Sequence, residues 1–296
     1  MLATFTSFSF IAVLVATVAF AILAPIIGCL LAGLDRIISA RMQGRVGPPL
    51  LQPYYDVRKL IEKDDVTVSG VDGVYMTCAL VFTAFAGGIF FAGDNLLMSA
   101  FVITMAALFF IMAAYSSRSP FAEIGAAREA IQVMSYEPMV LLMAVCFYMT
   151  AHTFMVREIF VIDLPVIVFT IPAFIGFLFI LTIKLRKSPF DISMSHHAHQ
   201  EIVRGMTTEM SGKTLAKVEI MHWCETVLFL GWTGMFFIWG NPLSIVVAIV
   251  AVLAIWFFEI LIDNNFARVK WQAMLRWSWL VALICGGINI VFLAFI

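Results

Sequence analysis

Eight long apolar runs, parted by short polar breaks, govern what this chain can become. They lie at roughly 8–34, 74–93, 96–115, 131–156, 163–185, 215–239, 243–262 and 272–296. A helix needs about 20 such residues to cross a hydrocarbon core of ~30 Å. Of the 296 residues 62% are hydrophobic and 12% charged, more apolar surface than a water-soluble domain of this size can hide. In lipid a helix satisfies its own backbone, whereas an open sheet edge cannot. The sequence therefore predicts an all-α, polytopic integral membrane protein with about eight transmembrane helices, forming a single membrane domain over 1–296. Gly93, Asp94 and Asn95 mark a tight turn between the second and third runs, and Asn241 and Pro242 a second break. The first basic residue, Arg36, follows the first run, so the N-terminus does not read as a signal peptide.

Orientation follows from lysine and arginine. Of 18 such residues, all but Arg157 fall after runs one, three, five and seven or at the adjoining helix ends. The positive-inside rule makes that side cytoplasmic and sends both termini outward. Two cytoplasmic loops are long, about 35–73 and 186–214. Both mix charged with apolar residues, which suits docking of a soluble partner better than a disordered linker. In the first, Gly47, Pro48 and Pro49 break any helix, and Pro53 to Lys63 reads as a short amphipathic helix with Tyr54, Val57, Leu60 and Ile61 on one side. An interfacial helix lying on lipid fits this stretch as well as a docking helix does.

Acids inside apolar runs are costly, and each is a functional candidate. Glu129 and Glu137 lie eight residues apart in the fourth run, within about 80° around a helix axis. Glu219, His222 and Glu225 recur every three residues in the sixth. Glu259 and Asp263, four apart in the seventh, share a face. Buried carboxyls of this kind can exchange protons and answer a nearby change of charge. Glu137, Glu129, Glu219, Glu225 and Glu259 are thus candidates for proton or ion coupling; each could equally be a satisfied helix–helix hydrogen bond. The second loop carries His196, His197 and His199, whose spacing fits no strong zinc pattern; proton exchange or partner contact is the expectation, and no metal site is expected. The five cysteines, Cys29, Cys78, Cys146, Cys224 and Cys285, are spread without a CxxC pair, so no iron–sulfur cluster is expected in this chain. A formal net charge of -1 argues against nucleic acid as a partner.

The loops and the fourth run also carry a resemblance. Gln43, Arg45, Gly47 and Pro48 match QxRxGP, and Leu51, Gln52, Asp56 and Lys59 the LQxxxDxxK that follows. Gly125, Arg128, Gln132, Ser135, Tyr136 and Glu137 match GxxRxxxQxxSYE. Pro189, Phe190 and Asp191 match PFD, Glu201 and Gly205 match ExxxG, and Thr208 to Gly212, containing Glu209, is similar to TEYSG with Met210 for tyrosine. Over nearly its whole length the chain resembles the subunit shared by respiratory complex I (its H subunit) and the energy-converting nickel–iron hydrogenases. Three departures favour the hydrogenase branch, above all the Ech-type membrane anchor, with the formate hydrogenlyase type a near relative. Pro49 runs straight into Leu50 and Leu51 without a second glycine–proline insertion; histidines replace the acids that usually follow PFD; and Glu129 stands beside Arg128 and Pro138 after Glu137.

The resemblance implies a membrane-anchor and ion-coupling subunit, not catalytic alone, in a prokaryotic cell membrane. It implies soluble iron–sulfur and nickel–iron hydrogenase subunits and an antiporter-like membrane subunit as partners, with the clusters and the nickel–iron centre held by those partners and no cofactor in this chain. Ferredoxin/proton chemistry in the soluble arm would drive H+ or Na+ translocation, with Glu137 the matched acid for coupling. Arg45, Asp56, Asp191, His196, His197, His199, Glu201 and Glu209 would line the junction with the arm. Quinone binding is not expected on the hydrogenase reading. The alternatives are a quinone-chamber subunit of a complex I-like NADH/ferredoxin dehydrogenase and, in another class, a solute transporter, against which the lack of an internal repeat argues.

Overall fold

The structure is a computed structural model that describes residues 2–64, 70–194 and 204–295. Among the described residues it is helical throughout, with one isolated bridge, Asn95 to Met155, and no strand. The helices are α1 (Leu2–Met42), α2 (Gln52–Glu62), α3 (Asp72–Phe91), α4 (Leu96–Ser116), α5 (Pro120–Ala151), α6 (Val156–Ile159), α7 (Ile171–Lys184), α8 (Gly212–Met235), α9 (Leu243–Asn265), α10 (Trp271–Val281) and α11 (Gly287–Ala294). A π-helical turn at Ala282–Gly286 joins the last two into one broken helix. Among the described residues six helices are long and apolar enough to cross a membrane: α1, α3, α4, α5, α9 and the α10–α11 unit. α8 matches them in length, at 24 residues, but carries charge. The protein is an all-α polytopic membrane protein.

Small residues set the packing. α3 and α4 form a tight hairpin in which Ala79, Ala86, Ala100, Ala106 and Ala113 are buried and the Ser99 hydroxyl donates to the Ala86 carbonyl at 2.8 Å. Without a hydrophobic driving force between helices in lipid, such close backbone approach supplies the attraction. The turn expected at 93–95 is present: Gly93 has φ +77°, and the Asn95 side chain accepts from the Leu97 and Met98 amides to cap α4. α4 and α5 are central, 56% buried over their most apolar windows; α1 and α9, at 17% and 22%, lie at the rim.

Three features depart from the sequence expectation. α1 does not give way to a loop at residue 35 but continues to Met42, because Leu31 and Ile38 prolong an apolar stripe that packs on Leu230, Trp256 and Ile260. The QxRxGP segment folds back on that extension: any side chain at Gly33 would strike the Leu50 carbonyl, and one at Gly47 would lie 2.9 Å from the Ile37 Cα. α2 buries Pro53 and Val57, with Leu60 packed beside them, against Cys29, Ala216 and Trp223, and leaves Tyr54 and Ile61 half exposed. Val57 and Leu60 thus face inward as expected, while Pro53 takes the place expected of Tyr54 and Ile61 stays outside. The fifth run holds a helix of only 14 residues, α7. Pro165 and Pro172 lack the amide hydrogens a longer helix would use, so a 3-10 turn at Val166–Val168 fills the gap, its Ile167 amide bonded to the Phe236 carbonyl.

The connections fall into two groups. At the sparsely charged end, Val156 N bonds Asp94 O and Gly240 N bonds Ile162 O. At the basic end, Val269 N bonds Pro189 O and the Gln43 side chain donates to Asn264. The chain directions of α1 and of the α10–α11 unit begin and end the chain at the sparsely charged end.

Candidate functional site: a buried run of paired charges

α7, about 21 Å long at 1.5 Å per residue, is shorter than a ~30 Å hydrocarbon core and stops inside the bundle. It delivers Lys184, Leu185, Arg186 and Lys187 into the protein instead of onto its surface. The side chains of Lys184, Arg186 and Lys187 are only 6%, 17% and 11% exposed. Each meets a carboxylate from a different helix. Lys184 Nζ lies 3.5 Å from Glu225 Oε1 of α8, and over the rings of Tyr136 (4.4 Å) and Phe229 (5.0 Å). Arg186 donates to Glu129 Oε1 of α5 at 3.0 Å and stacks over Phe110. Lys187 donates to Asp35 of α1 and lies 3.4 Å from Asp263 Oδ2 of α9. Four residues on, Asp191 accepts from Arg268 at 3.0 Å.

One face of α5 holds this segment in place. Gly125, Glu129, Gln132 and Tyr136 stand at i, i+4, i+7 and i+11 and point the same way. A side chain at Gly125 would collide with Gly205 and Met206, so glycine lets the second loop press against the helix. Glu129 accepts a second hydrogen bond, 2.6 Å from the Ser193 hydroxyl, and Gln132 Nε2 donates to the Phe190 carbonyl at 2.8 Å. The matched motif on α5 and the PFD loop are therefore two halves of one contact. Beside it lies a cavity of about 180 Å³, lined in part by Asp35, Arg186, Lys187, Thr226 and Asp263. It is polar and roomy enough for several waters, each occupying about 30 Å³ in the liquid.

The other candidates are placed as follows. Glu137 is half-buried and lines a small cleft with Phe101, Thr104 and Trp232. It lies about 12 Å along α5 from Glu129, so the two do not share one site. Glu219 is half-buried, and His222 packs against the Phe110 ring at 5.9 Å. Glu259 is fully buried, and neither of its oxygens has a hydrogen-bond partner among the described residues. Arg45 is exposed and bonded to Gln43. Asp56 accepts from Arg36 at 2.6 Å and from Gln52 at 2.9 Å; burial raises its carboxyl, but these bonds outweigh it and hold it below the usual range. Glu209 is half-buried in the turn before α8. His196, His197, His199 and Glu201 lie outside the described residues. Among the described residues no cluster of three histidine, cysteine or acidic side chains could hold a metal.

Sequence reasoning missed the basic run itself. It counted Lys184, Arg186 and Lys187 as topological charges and gave Asp35 no role. The available signal was the placement of KLRK directly against an apolar run bounded by two prolines.

Comparison with known proteins agrees with this architecture. Formate hydrogenlyase subunit 4 of Escherichia coli (strain K12) is 28% identical over 297 residues, covering 90% of this chain and 92% of that protein. Hydrogenase-4 component C of the same organism is 26% identical over 276 residues, 85% and 87% of the two chains. The H subunit of the NADH-quinone oxidoreductase of Dehalococcoides mccartyi (strain CBDB1) is 28% identical over 294 residues, 88% and 80%. A chain in the structure of the membrane-bound sulfane sulfur reductase, an archaeal respiratory membrane complex, shares the fold, with a TM-score of 0.82 over 95% of this chain and 99% of that one at 24% identity. The NADH dehydrogenase family pattern matches residues 13–294, nearly the whole helical bundle described above, and the chain belongs to that family.

Proposed function

We propose that this chain is the membrane-anchor and ion-coupling subunit of an energy-converting hydrogenase complex in a prokaryotic cell membrane. Its basic, cytoplasmic end carries the soluble arm, whose iron–sulfur and nickel–iron subunits exchange electrons between ferredoxin and protons. An antiporter-like membrane subunit completes the ion path, and H+ or Na+ crosses the bilayer. The observation that carries this reading is the run Lys184 to Lys187, whose three cations are buried against Glu225, Glu129, and Asp35 with Asp263. The loop leading from it, through Asp191, faces the end where the arm docks. A small shift of that loop lengthens an ion pair in a low-dielectric interior, where each ångström matters most. A carboxylate that loses its cation takes up a proton, and one that regains it gives the proton back. Glu137, Glu219 and Glu259 extend the set of ionisable groups beyond the pairs.

A second reading has support of its own. The relative from NADH-quinone oxidoreductase is as similar as the one named formate hydrogenlyase subunit 4. On that reading the same bundle frames a quinone chamber of a complex I-like dehydrogenase. Purification from the native membrane separates the two: a co-purifying nickel–iron subunit supports the first, and quinone-reducing activity without it supports the second. Within the first, Glu137→Gln is expected to leave the complex assembled and hydrogen turnover running while ion pumping by inverted vesicles falls. An undiminished gradient would remove Glu137 from the mechanism.

A further inference from the structure

A second cavity neighbours the one among the paired charges and shares Leu31 with it. It is an apolar slot of about 620 Å³ between α1, α8 and α9, bordered at the sparsely charged end by the α3–α4 turn and α6. Its walls are carbon: Leu31, Phe90, Leu230, Ile249 and Leu253 face it. Gly231 and Gly234 leave the α8 wall open; a side chain at Gly231 would come within 2.9 Å of Phe90. One charged residue lines the slot, Arg157. It is the single lysine or arginine outside the basic-end segments. Its position is built in: its amide donates to the Gly93 carbonyl at 3.1 Å, and Gly93, at φ +77°, is what lets the Arg157 Cβ approach to 2.9 Å of the place a side chain would take.

We propose that this slot binds one anionic phospholipid, its acyl chain between α8 and α9 and its phosphate on Arg157. Charge complementarity selects the headgroup, because a guanidinium holds phosphate through paired hydrogen bonds. The Arg157 side chain is 60% exposed, and its neighbour Glu158, at 4.0 Å and 52% exposed, forms only a weak surface pair that leaves the cation available. The lining favours a lipid over a partner helix: one cation beside an otherwise carbon slot matches one headgroup above an acyl chain. The bound chain would seal the thinly packed seam between α1 and α9.

The test uses protein purified from its native membrane with the subunits it retains, exchanged into nanodiscs of phosphatidylcholine containing phosphatidylglycerol. Lipid remaining after detergent washing is counted by native mass spectrometry. Wild type is expected to retain one phosphatidylglycerol about tenfold better than phosphatidylcholine, the worth of one charge-assisted contact. Arg157→Gln should abolish that preference, and Leu253→Trp, which fills the slot from its lipid side, should remove retention of either lipid. Gly234→Leu provides a second filled slot. Equal phosphatidylglycerol retention by wild type and all three variants overturns the proposal. So does cross-linking of Ile249→Cys to a helix of another subunit in the native membrane.

Discussion

Replacing Lys184 by methionine removes one member of the most deeply buried ion pair among the described residues and keeps its length. Lys184 and Glu225 are 6% and 5% exposed and 3.5 Å apart. At an effective dielectric constant near 20 their attraction is about 5 kcal/mol before the cost of desolvating both charges. The net value of the pair is therefore small, but breaking it on one side leaves Glu225 buried without compensation, a loss of about 3–5 kcal/mol. The double variant Lys184→Met/Glu225→Leu restores an apolar contact among Tyr136 and Phe229 and is expected within about 1 kcal/mol of wild type. Denaturant unfolding of the purified protein in detergent, read as a double-mutant cycle, measures the coupling. A control is Arg58→Ala, whose partner Glu62 is 65% exposed and whose loss should go undetected. The reasoning fails if Lys184→Met is as stable as wild type, or if the two single losses simply add in the double variant.

Three other outcomes follow from the same structure. Glu259→Leu should stabilise the protein by about 1–3 kcal/mol, since it removes a buried carboxyl without a described hydrogen-bond partner; a destabilised variant in the same unfolding assay would reveal a partner. Gly28→Val should destabilise by about 1–3 kcal/mol or more, because its Cβ would lie 2.6 Å from the Trp223 Cβ and carbonyl oxygen; rescue by Trp223→Ala would contradict this, as the obstruction is not the indole. The Arg36–Asp56 contact should hold α2 at neutral pH and release it in acid. Asp56 titrates below the usual carboxylate range, so its contribution is complete above about pH 3.9 and lost as pH falls through the lower folded value. With Asp56 44% exposed the effect is modest. Proteolytic protection of α2 should drop only in strong acid, and at pH 7 in Asp56→Asn; identical protection in that variant would refute the link.

The sequence alone determined the bilayer as solvent, the helical class, the alternation of basic and non-basic ends, and the turns at 93–95 and 241–242. It could do so because the cost of placing backbone and charge in hydrocarbon is local, and each residue states its own part of it. The α5 residues were legible one by one, Gly125, Gln132 and Tyr136 as motif positions and Glu129 as an acid in an apolar run, but not as a single face. Only the tertiary structure decided what those residues meet. That α7 ends short, that α2 turns Pro53 and Val57 inward, and that Glu129 is bonded to Arg186 while Glu259 has no hydrogen-bond partner among the described residues depend on contacts between distant segments. An acid within an apolar run has the same local pattern whether or not a cation waits on another helix. The energy of the pair is set by distance and burial, and neither is written in the neighbours along the chain.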